Sequence, residues 1–175
     1  MAFLVEDGTG VEGANAYTSV DYTDQFHIDR NNEAWFLLSN AEKQAALIRA
    51  SDYIDQRFDF IGYKQRREQG LDWPRYEAYD RDEFLLQGVP IDVQKGCAEY
   101  AIIASAEPLF LTPIYDPTGL DVKSTSVVIG PIEEEITYAT GSSGTATDRV
   151  VLKQFPIAEY HFCNLVISST ELLRG

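Results

Sequence analysis

Apolar positions recur with a helical period over Ser39–Phe58, and neither glycine nor proline interrupts the run. Ala45, Ile48, Ser51, Ile54 and Phe58 follow one another at spacings of three and four, and Leu47 widens the stripe. Glu42, Lys43, Arg49, Asp52 and Asp55 fall mostly off it. Ser39, with Glu42 three residues on, has the form of a capping box: the hydroxyl accepts from a first-turn N–H and the carboxylate reaches back to the cap N–H. The pattern predicts a helix of about five turns with one buried face.

Other elements are arranged around this helix. Phe3–Glu6 reads as a short strand, Asp7-Gly8-Thr9-Gly10 as a turn, and Gly13–Ala16 as extended chain. Thr18 or Ser19 caps a helix through about Arg30, with Tyr22 and Phe26 on its inner side. Glu33–Leu38 predicts a short turn that plugs the core with Trp35 and Phe36. The helical pattern stops near Gly62 and gives way to a long loop, Gly62–Arg75, in which Pro74 forces Trp73 out of the helical region. Pro90 suits the start of another helix with Val93, Cys97, Tyr100, Ala101 and Ala104 inward, ended by Pro108. Beyond Leu111, Val122–Ile129 and Ile132–Tyr138 predict two strands around Gly130-Pro131. Glu133 and Glu135 lie on one face of the second strand. Residues 141–149 have the composition of a flexible linker, and an apolar, aromatic segment follows from Val150. The fold class is mainly α: a small helical bundle over residues 1–110, a β-hairpin region over 111–140, the linker, and an extended C-terminal arm over 150–175. No internal repeat is present.

Charge narrows the function. The 175 residues carry 28 acids against 14 bases, a formal net charge of −14. Such an excess opposes general binding to nucleic acid or to an anionic membrane, because phosphate neutralisation needs lysine and arginine in excess. The imbalance is uneven: residues 57–81 hold 6 bases and 5 acids, while both flanks are strongly acidic. Within that middle region Tyr63, Lys64, Arg66, Arg67, Arg75 and Tyr76 interleave bases with aromatics, a composition suited to single-strand binding. Glu68 and Asp72 cut its excess, so pairing with acidic neighbours is an equal reading.

Candidates for catalysis are weak. His27 and His161 lack partners at metal-ligand spacing, and there is no Cys-X-X-Cys pair. Glu133-Glu134-Glu135 cannot converge, because consecutive strand residues face opposite ways. Gly8-X-Gly10 fits neither a dinucleotide nor a phosphate loop, and no nucleophile elbow is present. Cys97 and Cys163 sit in apolar stretches and read as small buried hydrophobes. No signal peptide and no run long enough to span a membrane is found. We read no enzyme, no cofactor and no metal.

Five pieces match one known pattern: Val5–Gly10, Ala14–Val20, the helix Ala41–Ala50, Gln69-Gly70-Leu71-Asp72-Trp73-Pro74-Arg75, and Val89-Pro90. The chain resembles a family of tailed-bacteriophage head–tail adaptor (connector, head-completion) proteins whose members often carry the label DnaT-like single-stranded-DNA-binding protein. The resemblance covers about residues 3–140. It implies a small helical bundle that forms a ring, usually of twelve copies, beneath the portal in the virion neck after assembly in the host cytoplasm. Such a ring extends the channel for genomic double-stranded DNA without gripping it and offers a platform to a tail, stopper or nozzle protein. The alternative is a single-stranded-DNA-binding replication protein, as the label says.

Three expectations about contacts follow. Trp73, Pro74 and Arg75 are residue types suited to an intersubunit or portal contact. Phe155, Tyr160, Phe162 and Leu165 are expected on an arm that packs on the portal or a neighbour rather than on its own bundle. Glu133 and Glu135 are expected to line the channel if the hairpin faces the lumen; otherwise they keep an outward strand soluble.

Overall fold

A computed structural model describes residues 2–110, 122–128, 133–138 and 154–167. The fold is mainly helical with a small antiparallel hairpin. The helices are α1 (Val20–Ile28), α2 (Glu33–Phe36), α3 (Asn40–Arg57), α4 (Ile91–Ala106) and α5 (Pro156–Tyr160). The strands are β1 (Tyr63–Lys64), β2 (Arg75–Tyr76), β3 (Val122–Val128) and β4 (Glu133–Tyr138). Two compact units result: residues 1–109 with 154–175, and residues 110–153.

The central helix forms where the pattern places it. Ser39 accepts from the Glu42 N–H, and the Glu42 carboxylate accepts from the Ser39 N–H at 2.8 Å, so the capping box is closed. The buried face is turned by about one residue from the expected stripe. Ala46, Leu47, Ala50, Ser51, Tyr53 and Ile54 are buried, whereas Ala45 is exposed and Ile48 half-buried. The cause is that α3 is covered from two sides. On one, the buried Lys43 stem sends its ammonium to Asp24 of α1 at 2.8 Å, and the Trp35 indole N–H donates to the same carboxylate at 2.6 Å. On the other, α4 lies along it, with Tyr53 and Tyr100 rings 5.0 Å apart. Trp35 is fully buried, as the plug reading requires, while Phe36 is exposed.

Ser19 caps α1, accepting from the Tyr22 N–H, and Pro90 stands at the N-cap of α4. The strand expected over Phe3–Glu6 is only a single parallel bridge, Val5 to Ala16. Cys97 is fully buried, and burial pushes its thiol up to about 12. Cys163 is exposed, against expectation, because the turn after α5 points it outward while Phe162 points in. His27 is buried on α1 with its Nδ1 on the Asn32 amide at 3.0 Å, and burial lowers its pKa to about 4.

The largest correction concerns the C-terminal segment. Residues 154–167 are part of the bundle, not an arm. Phe155, Phe162 and Leu165 are buried among α3, α4 and the chain leaving α3; Tyr160 alone of the four expected contact residues is exposed. Phe162 stacks on Phe58 with centroids 4.5 Å apart. It also fills the space over Gly96 of α4, where an added Cβ would stand 2.3 Å from the ring. Backbone bonds seal the join: Ile61 donates to Leu165 at 3.0 Å and Ile167 to Asp59 at 2.8 Å. Flanking composition suggested a tether, but the spacing of Phe155, Phe162 and Leu165 supplies an apolar face that completes the core.

The hairpin pairs Val128 with Glu133 and Ser126 with Glu135. The expected linker at 141–149 and the ends of the C-terminal segment, 150–153 and 168–175, lie outside the described residues. Among the described residues, no helix is long and apolar enough to cross a membrane.

Candidate functional site

The segment between α3 and α4 holds the residues singled out from the sequence, and it divides into an inner and an outer set. The inner set is built on buried polar anchors. The Glu6 carboxylate, itself buried, accepts from the Gly8, Gly10 and Val11 N–H groups at 2.8–2.9 Å and so shapes the first turn. That turn abuts the loop: the Gly70 N–H donates to Val11 at 3.2 Å, and a Cβ on Gly70 would lie 2.2 Å from the Ala14 carbonyl oxygen. Gln69 is buried too, donating to the Leu71 and Pro74 carbonyls and accepting from the Arg66 N–H.

Trp73, expected at a contact surface, is fully buried and meets Phe60 edge-on at 5.7 Å. Pro74 is buried beside it. The Arg75 guanidinium turns inward and donates to the carbonyls of Phe60, Ile61 and Gly62 at 3.2, 2.8 and 2.8 Å. These are the carbonyls of the chain just past α3, which no helix hydrogen bond satisfies. The three residues expected to touch a partner therefore brace the fold instead. Their types fit a hot spot, yet the same types fit a plug, and burial decides for the plug.

Behind the loop, Tyr17 and Asp55 form a polar hinge. The Tyr17 hydroxyl donates to the Asp55 carboxyl and accepts from the Asp72 N–H at 3.1 Å; Asp55 also accepts from that N–H at 3.0 Å. Burial, with the Asp72 charge adding to it, pushes Asp55 up to about 7 despite these hydrogen bonds.

The outer set is what solvent sees. Tyr63 and Tyr76 are cross-strand partners on β1 and β2, their rings 5.4 Å apart, and they are 59% and 50% exposed. Lys64 is tied to Asp72 at 2.8 Å. Arg66 and Arg67 are exposed next to the pair in sequence. The sequence grouping of bases and aromatics is thus resolved: the tyrosines, Arg66 and Arg67 remain on the surface, whereas Arg75 is consumed by the backbone. Chemically, the outer set offers a pair of exposed phenol rings tilted 31° to each other, with two exposed arginines and the exposed acids Glu68 and Glu77 close to them in the chain. Among the described residues, no three His, Cys, Asp or Glu side chains converge as metal ligands.

Residues 1–161 match the family model described as "Putative DnaT-like ssDNA binding protein". The chain belongs to this DnaT-like family. The match spans both the inner set and the platform, along with all the elements from α1 to α5. No curated protein and no solved structure matches the chain.

Proposed function

We propose that this DnaT-like chain is a structural head–tail adaptor of a tailed phage. In this reading it forms a ring of about twelve copies under the portal, extends the DNA channel and docks the tail or stopper. The reading rests on the resemblance of its motifs to that family, and one structural observation supports it most. A chain of net charge −14 commits the largely enclosed Arg75 guanidinium to its own backbone and leaves large apolar side chains such as Leu37, Phe84 and Ile157 on the surface. Those are the properties of a subunit that binds protein and does not grip phosphate. Glu133 and Glu135, on one face of β4, would line the lumen and repel DNA over a screening length of about 8 Å. The test is the mass of the purified chain alone and mixed with the portal. A ring-sized complex on the portal is expected; no complex at any ratio refutes the adaptor role.

A second reading has its own support. The family description and the exposed Tyr63–Tyr76 pair, with exposed Arg66 and Arg67 a few residues on in the chain, favour single-stranded DNA stacked on the tyrosines. Each stacked base contributes about 1–3 kcal/mol in such sites. A low-salt mobility shift that disappears in a Tyr63→Ala, Tyr76→Ala variant carries this reading, and the absence of any shift by the wild type removes it.

A further inference from the structure

Three segments of the chain meet at one carboxyl. Asp55 is half-buried near the end of α3, and its hydrogen-bond partners come from far along the sequence. The N-terminal segment supplies the Tyr17 hydroxyl, which is buried and donates to it. The α3–α4 segment supplies the Asp72 N–H at 3.0 Å. These two partners are also joined to each other, since Tyr17 accepts from the Asp72 N–H at 3.1 Å and from the Trp73 N–H at 3.4 Å. The same two segments dock along a second line: the Gly70 N–H donates to the Val11 carbonyl, and Glu12 is bridged to Gln69.

Charge around this carboxyl is close to balanced. Asp72 and Lys64 face it from the α3–α4 segment and bind each other at 2.8 Å. Arg75 stands 3.8 Å from the second Asp72 oxygen, with its other donors on backbone carbonyls. Cys97 faces Asp55 from α4 as a neutral thiol, and Asp52, one turn back on α3, is exposed. Among the described residues, no cation forms an ion pair with Asp55 itself. Ionisation therefore leaves a covered carboxylate that keeps two hydrogen bonds and gains no counterion, a state that water would relieve.

We infer that the Asp55 carboxyl is a proton-operated latch on this junction: protonated, it keeps the Gly70–Asp72 stretch seated on Tyr17 and the first turn; ionised, it releases that stretch while the helices stay folded. The stretch can move by itself because its far end is fixed, Trp73 in the core and Arg75 on the Phe60–Gly62 carbonyls. The same segment carries Tyr63 and Tyr76, so the proton sets how firmly that exposed pair is held, whichever partner the chain binds. With Asp55 at about 7 in the closed junction and 3.8 in the open one, protonation favours the closed form. The opening constant should then rise about fiftyfold from pH 5 to 7 and only about twofold beyond.

Hydrogen exchange of the full chain, read by NMR from pH 5 to 9 with the intrinsic rate divided out, gives the opening constants of single amides. Gly70 and Asp72 report on the junction, and Leu47 and Ala101 on the helical core. In wild type, the two junction amides are expected to open more often than the core pair and to show the fiftyfold rise. Asp55→Asn should flatten that rise at Gly70 and Asp72. Junction amides that open only together with Leu47 and Ala101 at every pH, or a rise that survives in Asp55→Asn, overturn the latch. Where circular dichroism shows that Asp55→Asn does not fold, the carboxyl carbon resonance of Asp55 in wild type decides. A midpoint near 7 that coincides with the levelling of junction opening upholds it, and a midpoint at 4 or below overturns it.

Discussion

Replacing Phe162 with alanine separates a core-completing C-terminal segment from a tethered arm. The ring is fully buried, stacks on Phe58 at 4.5 Å with an interplanar angle of 20°, and lies 6.1 Å from both Phe60 and Tyr100. Truncating a buried phenylalanine costs about 3–5 kcal/mol, the transfer term plus the cavity left behind. The stacked geometry with Phe58 puts this site in the upper part of that range. A domain of this size has about 5–15 kcal/mol in total, so the variant loses about a quarter or more of its stability. Urea unfolding followed by the fluorescence of the buried Trp35 and Trp73 measures the change, with an unchanged slope confirming two-state behaviour. Tyr160→Ala is the internal control: two residues earlier in the same segment but 77% exposed, it should shift stability by no more than about 0.5 kcal/mol. If Phe162→Ala costs under about 1 kcal/mol and matches Tyr160→Ala, the segment does not belong to the core in solution and the argument from burial fails.

Three further outcomes are expected. Gly70→Ala should destabilise by several kcal/mol or prevent folding, because its Cβ would meet backbone atoms of Ala14 at 2.2 Å; an unchanged unfolding midpoint would show that the loop does not dock on the first turn. Arg75→Ala should cost about 1–3 kcal/mol by stranding carbonyls, and Arg75→Lys should recover little because an ammonium cannot span three acceptors; full rescue by lysine refutes the bracing role. Asp55, at about 7 when folded against 3.8 ordinarily, adds stability that is complete below pH 3.8 and lost as pH rises to 7, so Asp55→Asn should gain on wild type across that window and level off above it. His27, lowered from 6.5 to about 4, acts with the opposite sign, its contribution lost as pH falls from 6.5 to 4, so the asparagine variant should show a clear rise in stability with pH over that range; a pH-independent difference between variant and wild type refutes the Asp55 assignment.

Local signals were legible in the sequence wherever one residue type does one job. The capping box at Ser39 and Glu42, the Ser19 cap and the end of α4 before Pro108 all depend on contacts within a few residues. The facing of α3 was less legible, because which side chains are buried depends on α1, α2 and α4 pressing from two directions. Tyr53 entered the core and Ala45 left it for that reason alone. The C-terminal segment was misread because the residues before it, up to 149, have linker composition, and nothing local shows that Phe162 has a cavity waiting over Gly96, 66 positions earlier in the chain. The candidate site divided along the same line. Tyr63 and Tyr76 could have been paired from a two-strand register around the loop, but the inward turn of Arg75 follows from where the Phe60–Gly62 carbonyls point, which no pattern records.

The inner and outer sets carry different information. Gly8, Gly10, Gln69, Gly70, Trp73 and Arg75, the residues by which the chain resembles its family, sit inside a network that joins the first turn to the loop. Each has a backbone or packing task there: a positive φ at Gly8 and Gly10, a close approach at Gly70, amide bonds at Gln69, a ring in the core at Trp73, capped carbonyls at Arg75. Substituting any of them perturbs the scaffold first, so loss of function in such variants says nothing about what the protein touches. The surface residues between them make the opposite case. Tyr63, Arg66, Arg67 and Tyr76 stand on a loop whose inner side is pinned at Gln69, Trp73 and Arg75, so they can be exchanged singly while the platform beneath them holds. Leu37 and Glu33 occupy the same position with respect to the Trp35 plug and its Asp24 anchor. Discrimination between a ring subunit and a single-strand binder therefore rests on these exposed residues. On the ring proposed above, an exposed apolar residue such as Leu37 (86% exposed) contributes to a protein contact, whereas a single strand stacked on the tyrosines has no use for it. Leu37→Glu is the substitution on which the two proposals part: weakened capture by the portal with an unchanged oligonucleotide shift favours the adaptor, and unchanged capture takes Leu37 out of the contact.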